Sequence, residues 1–217
     1  MEIKVIKQIM DWNKECHDEI IGKLNDNKVT MINVMGSPGA GKTTFILNLL
    51  NEFKKEGLKV GVIEGDIAGK VDAEKIAKEG IQVVQLNTDG ACHIEAESIK
   101  NILPNFDLKD LDLIIVENIG NLVCPAEFNI GEHLKIALLS VPEGDDKVQK
   151  YPLMFANSDG LVITKSDLKD YFEFDYTKIF DDAIKRNQKI RIFAVNSKVD
   201  GCLSEVKEWI LSKMKKA

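Results

Sequence analysis

The sequence predicts an α/β protein: a mostly parallel β-sheet with helices on both faces, plus one helix at the N-terminus. Three observations carry this. From Val29 onward, short apolar runs rich in β-branched residues alternate with segments of helical periodicity. The strands read as mainly apolar, as expected of strands covered on both faces. The length of 217 residues, 44% hydrophobic and 29% charged, suits one domain with a short appendage. The expected division is a helical extension over 1–28 and an α/β domain over 29–217.

Residues 3–24 place Ile6, Ile9, Met10, Ile20, Ile21 and Leu24 at near-helical spacing. A polar turn over 25–28 follows, then a strand over 29–35. The helix over 42–53 ends at Gly57. Next come a strand over 59–63, a helix over 71–78, a strand over 81–86 and a helix over 94–103 stopped by Pro104. Strands follow over 113–116, 135–141 and 160–164, then a helix over 177–187, a strand over 190–195 and a helix over 202–215. Sheets of this kind bind ligands at the carboxyl ends of their strands. The loops after Met35, Ile63, Leu86, Val116, Thr164 and Val195 are therefore where function is expected.

Composition narrows the classes. No apolar run approaches the roughly 18 residues of a membrane span. The stretch Met1–Trp12 is charged throughout, without the apolar centre of a signal peptide, so a cytoplasmic chain away from membranes is expected. A net charge of −6 argues against nucleic acid as the main partner. The four cysteines (Cys16, Cys92, Cys124, Cys202) are too scattered for a disulfide framework. Only two of the 29 basic residues are arginines, Arg186 and Arg191. Phosphate-handling sites commonly use arginine.

The first of the candidate loops reads Gly36-Ser37-Pro38-Gly39-Ala40-Gly41-Lys42-Thr43, matching G-x-x-x-x-G-K-[ST] between a strand and a helix. Its glycines let successive backbone N–H groups turn inward around phosphate oxygens, and the helix N-terminus adds positive potential. This marks the 29–217 unit as a P-loop nucleotide-binding domain. Gly36, Gly39, Ala40, Gly41, Lys42, Thr43 and Thr44 are the expected phosphate-side contacts. Lys42 reaches the terminal phosphates and the Thr43 hydroxyl binds Mg²⁺. The second metal-side acid is expected at a strand end, where Glu117 follows Leu113-Ile114-Ile115-Val116. A further acidic loop, Glu64-Gly65-Asp66 with Asp72 beyond it, reads as a switch segment. Asp66 could orient the attacking water and Asp72 could approach Mg²⁺; spacing alone does not rank the two.

Thr164-Lys165-Ser166-Asp167 follows another strand end. A carboxylate at Asp167 can accept from both N1–H and the exocyclic amine of guanine, a donor pair adenine lacks. The Lys165 stem can lie over the base. The pattern is [NT]-K-x-D with Thr in the first position, and losing the amide there is expected to remove one bracing hydrogen bond worth ~1 kcal/mol. Asn196, after the last strand, is expected to give the base a backbone contact. GTP and GDP are thus the expected ligands. Neither arginine falls near a phosphate-side loop, so hydrolysis is expected to be slow, with Lys147 or Lys150 in a mobile segment as substitute cations.

Cys92-His93 and Cys124-Pro125 both fall on the ligand edge of the sheet. Two thiols and an imidazole suit Zn²⁺ and also Ni²⁺. Neighbouring Cys and His are not expected to close on one ion easily, and three ligands fall short of a tetrahedral set; a two-fold dimer would supply six. Buried packing cysteines are the plainer alternative, and that is the reading for Cys16 and Cys202. His133 reads as structural.

Several stretches together resemble the HypB family of hydrogenase nickel-incorporation GTPases. They are GSPGAGKTT (36–44), EGDIAGKVDAEKI (64–76), DGACHIEAESI (89–99), ENIGNLVCPAEFNIGEH (117–133) and SVPEGDDKVQKYPLMFANSDGLVITKSDL (140–168). The resemblance covers about residues 30 to 212. It implies a GTP-dependent homodimer that assists nickel insertion into [NiFe]-hydrogenase. It also implies that Cys92, His93 and Cys124 hold nickel or zinc at the dimer interface. The implied partners are a metal-donor accessory protein and the hydrogenase large subunit. Many members carry a histidine-rich stretch or a cysteine motif before this domain; residues 1–28 hold only Cys16 and His17, so neither nickel storage nor tight N-terminal binding is carried over. The related urease accessory GTPase clusters Cys-Pro-His, whereas here Cys-His precedes a separate Cys-Pro. Competing classes are a metal carrier with merely structural nucleotide and a small-molecule kinase, the latter disfavoured by the missing arginines.

Overall fold

The computed structural model describes residues 2–66, 71–88 and 90–214. The strands are β1 (Thr30–Gly36), β2 (Val60–Asp66), β3 (Gln82–Asn87), β4 (Leu113–Glu117), β5 (Leu134–Ser140), β6 (Gly160–Thr164) and β7 (Arg191–Ala194). They form one seven-stranded sheet in the order β3-β2-β4-β1-β5-β6-β7, with every pairing parallel. Every residue of β1, β4, β5 and β6 is buried, as expected of mainly apolar strands covered on both faces. After β1 the chain crosses to β2 on one side, and after β4 it returns past β1 to build the other. The carboxyl end of β1 therefore sits at the point where strand order reverses, where open α/β sheets form their binding crevice.

Helices α1 (Glu2–Asp26), α2 (Lys42–Lys55), α3 (Val71–Lys78), α4 (Ala96–Ile102), α8 (Tyr176–Arg186) and α9 (Ser204–Met214) match the predicted segments within a few residues. On one side of the sheet Phe45, Leu49 and Phe53 of α2 pack with Trp209 and Ile210 of α9 and with Ile32, Ile115 and Ile136 of the strands. Elsewhere Cys16, Ile20 and Leu24 of α1 join Ile99 and Ile102 of α4 and Met31, Ile114 and Val116 of the sheet. Gly131 permits this seat, because a Cβ there would lie 2.2 Å from Ile20. His133 Nδ1 accepts from the Met31 N–H at 3.0 Å and its Nε2 pairs with Asn25 at 3.0 Å, a structural role as expected. No helix among the described residues is long and apolar enough to cross a membrane.

Three short helices stand where sequence periodicity indicated loops: α5 (Cys124–Glu127), α6 (Lys147–Lys150) and α7 (Pro152–Ala156). Each is too short for a 3.6-residue pattern to register. The expectation of a loose segment carrying Lys147 and Lys150 is corrected: both lie on α6, anchored by buried Val148, with Lys150 paired to Asp146 at 2.5 Å and Lys147 over the Tyr151 ring.

Candidate nucleotide and metal site

The phosphate loop leaves β1 at Gly36 and enters α2 at Lys42. Gly39 and Gly41 adopt φ of 78° and 91°, a left-handed backbone that side chains disfavour. Lys42 is buried, and its ammonium donates to the carbonyls of Gly36 at 3.3 Å and Ser37 at 3.2 Å. Ala40 is buried beneath the loop, whereas Thr44 is exposed on the cleft side. The cleft measures about 540 Å³ and is lined by Gly39, Gly41, Lys42, Thr43, Thr44, Glu64, Glu117, Gly120 and Lys165, among others. Pockets of 300–1,000 Å³ are typical of small-ligand sites.

Two predicted Mg²⁺-side groups meet across 74 positions of sequence: Thr43 Oγ1 donates to Glu117 Oε1 at 2.9 Å. Parallel pairing places Glu64 of β2 opposite Glu117 of β4. Glu64 is buried and lines the cleft; the sequence placed it in an acidic switch loop, whereas Glu64-Gly65-Asp66 is the end of β2. Its signal was its position at a strand end, shared with Glu117. Asp66 ends β2 and Asp72 lies on α3, but their side chains lie outside the described residues.

Lys165 takes φ 56° and ψ 39°, a strained conformation for a side-chain-bearing residue. It donates to the Gly39 carbonyl at 2.8 Å, spanning base loop and phosphate loop. Asp167 receives the Lys198 ammonium at 2.8 Å, and this hydrogen bond holds its carboxyl below the usual range. Asn196 Oδ1 accepts from the Lys198 N–H at 3.0 Å and so shapes the neighbouring turn. The expected loss of a bracing hydrogen bond at Thr164 is corrected: its buried hydroxyl donates to the Ala40 carbonyl at 2.7 Å, so the shorter side chain still braces the phosphate loop. Neither arginine lines the cleft; Arg191 begins β7 at the opposite edge of the sheet, and Arg186 ends α8, donating to the Asp182 carbonyl.

The ligand atoms of Cys92, His93 and Cys124 all lie within 4.8 Å of one another. Cys92 Sγ is 2.9 Å from Cys124 Sγ and 3.6 Å from His93 Nδ1. The expectation that adjacent Cys and His resist closing on one point is therefore corrected: the chain bends at Cys92 and His93 themselves, and both side chains approach Cys124. His93 stacks on Phe128, ring centroids 4.3 Å apart. Its Nε2 is buried with no hydrogen-bond partner among the described residues, and burial pushes its pKa down, keeping the imidazole neutral and able to ligate. The hydrogen bond that Cys124 shares with Cys92, aided by burial, raises its pKa, while one with the Asn121 side chain lowers it. The donor set, two thiols and one neutral imidazole, fits a borderline-soft divalent ion. Cys16 is buried in the core and Cys202 packs partly against it, as their packing assignment required.

Three asparagines brace the segments around this site, and sequence reasoning gave them no such part. Asn118 Oδ1 accepts from the Ile94 and Ile119 N–H groups and its amide donates to Asn33. Asn13 links α1 to both ligand segments, accepting from the Ala96 N–H and donating to the Asn129 carbonyl. Asn121 reaches Cys92 and Val123. Asn118 and Asn121 stand in the segment that leads to Cys124, whereas nothing in the sequence marks Asn13, whose partners are 83 and 116 positions away.

Residues 30–194 match the family described as "CobW/HypB/UreG, nucleotide-binding domain". The chain is 36% identical over 215 residues to the hydrogenase/urease maturation factor HypB of Helicobacter hepaticus, covering 97% of this chain and 88% of that protein. With its Helicobacter pylori counterpart it shares 38% over 219 residues, covering 98% and 88%. A crystal structure of HypB from Helicobacter pylori in complex with nickel superposes with a TM-score of 0.88 at 38% identity, covering 94% of this chain and 95% of that one. Cleft, base loop and likeness agree, and the chain belongs to the CobW/HypB/UreG family of P-loop GTPases, among its HypB members.

Proposed function

We propose that this chain is a cytoplasmic, GTP-switched metal-delivery factor that dimerises on binding GTP and assists nickel insertion into a hydrogenase, with 29–217 as the GTPase unit and α1 as its extension. The observation that carries this reading is the convergence of Cys92, His93 and Cys124 on segments that abut the nucleotide cleft. The likeness to maturation factors, including one solved with nickel, supports nickel as cargo. Zinc satisfies the same donors. The names of the Helicobacter relatives join hydrogenase and urease, which supports a urease-directed role as the variant of the same reading. The partners on this reading are a metal-donor accessory protein and the hydrogenase large subunit.

In the proposed reaction, the phosphate-loop N–H groups and Lys42 hold the β- and γ-phosphates, and Asp167 reads guanine. Thr43 and Glu117, already 2.9 Å apart, are the oxygen ligands for Mg²⁺, which would neutralise charge on those phosphates. Asp66 and Asp72 are proposed for water orientation and metal approach. Hydrolysis releases the γ-phosphate contacts of the segments after Glu64 and Glu117, and the second of these runs directly into Cys124. Six donors from two protomers would enclose the ion more fully than three.

Equilibrium dialysis against Ni²⁺ with the GTP-analogue complex tests the site. Single Ala variants at Cys92, His93 and Cys124 are each expected to lose the bound ion while still binding nucleotide. Retention of full stoichiometry in all three would refute the assignment.

A further inference from the structure

We propose that Asn121 is a positioning residue that fixes Cys92 and Cys124 relative to each other and ties both to the phosphate loop. This rests on the reading of a nucleotide-coupled metal site and names the residue through which the coupling runs. Three hydrogen bonds converge on it, beside the side-chain bond to Cys124 described above. Its backbone N–H donates to the Gly36 carbonyl at 3.1 Å, forming an isolated antiparallel bridge with the end of β1. Its side-chain amide donates to the Cys92 carbonyl at 3.3 Å. Its Oδ1 accepts from the Val123 N–H at 2.8 Å, the residue before Cys124. The two ligand segments are 32 positions apart in sequence, and this one side chain spans them.

The link to nucleotide is stiff. A Cβ on Gly120 would lie 2.8 Å from Pro38 Cγ and 2.9 Å from Pro38 N. The segment before Asn121 thus lies flat on the phosphate loop. A change in the Gly36–Pro38 backbone on filling or emptying the loop is passed to Asn121 by direct contact. Asn121 then moves the Cys92 carbonyl and the Val123 amide together. Asn121 is not among the described residues that line the cleft, so its action is on the ligand geometry.

The test uses the full chain, with Ni²⁺ as probe, in the GTP-analogue and GDP states. Readouts are metal affinity and the thiolate-to-nickel charge-transfer band. Asn121→Ala is expected to lower metal affinity by about 10–100-fold, as outer-shell partners of ligands do. It should also bring the affinity ratio between the two nucleotide states close to one and shift the band. GTP affinity of the metal-free protein should stay within about twofold, since the backbone bond to Gly36 remains. Asn121→Ser is the second variant. Its hydroxyl can still accept from the Val123 N–H in a serine turn but cannot reach the Cys92 carbonyl, so it should lose the ratio with a smaller loss of affinity, even if Asn121→Ala fails to fold. A wild-type ratio that survives intact in either folded variant, with an unchanged band, overturns the role of Asn121 and leaves the coupled-site reading standing. A wild-type ratio of one overturns the coupled-site reading itself, and the positioning role with it.

Discussion

At Asp167 the carboxylate is held ionised by Lys198 and presented beside Lys165, whose strained backbone is fastened to Gly39. An ionised carboxylate that accepts two hydrogen bonds discriminates strongly, because a base lacking the donor pair leaves it unpaired. Asp167→Asn replaces one acceptor with a donor. We expect GTP affinity to fall about 10²-fold, and binding of a 2-oxo purine triphosphate to gain relative to GTP in a competition titration. Unchanged preference would contradict the assignment. The residue-level reading was legible in part. Motif letters sufficed to place Lys42 and Thr43, which belong to one strand–loop–helix, whereas Glu117 was placed by its position at the end of a separate strand, 74 positions from Thr43. Thr164 was misjudged because a hydroxyl can replace an amide only if the acceptor lies close, and its acceptor, the Ala40 carbonyl, is 124 positions away. Asn121 was invisible for the same reason: its partners are fixed by tertiary contacts.

Among the elements, the sheet was readable because its central strands β1, β4, β5 and β6, buried along their whole length, cannot hide their apolar runs. The turns α5, α6 and α7 were not, since four or five residues carry no period. That matters at α5, where Cys124 opens the helix and so gains a fixed direction that a loop would not supply. The seam between α1 and the sheet yields a pH prediction. His133 must be neutral at Nδ1 to accept from the Met31 N–H, and burial depresses its pKa below the ordinary histidine value. Protonation therefore favours the unfolded chain. The stability contribution is complete above pH about 6.5, the unfolded histidine value, and is lost as pH falls through the lower folded value. Urea unfolding of wild type and His133→Gln should converge on acidification through that range. A difference that grows instead would contradict the sign.

For the whole molecule, the composition that looked odd, two arginines against 27 lysines, gains a location. Both arginines lie off the cleft, and its described lining offers Lys42 and Lys165 as cations. A GTPase without an arginine at the transferring phosphate turns over slowly, so single-turnover hydrolysis by the isolated chain should fall between about 10⁻⁴ and 10⁻² s⁻¹. A rate above about 1 s⁻¹ would show that another cation serves. Slow turnover suits a protein whose two nucleotide states must each last long enough to be read. The whole account depends on those states differing at Cys92, His93 and Cys124. The most direct measurement is Ni²⁺ affinity of the wild-type chain, by competition with a metal-sensitive dye, in the GTP-analogue and GDP complexes. The account predicts affinities that differ by about tenfold or more, a coupling in the usual allosteric range, with the tighter state dimeric. Equal affinities in the two states would contradict it.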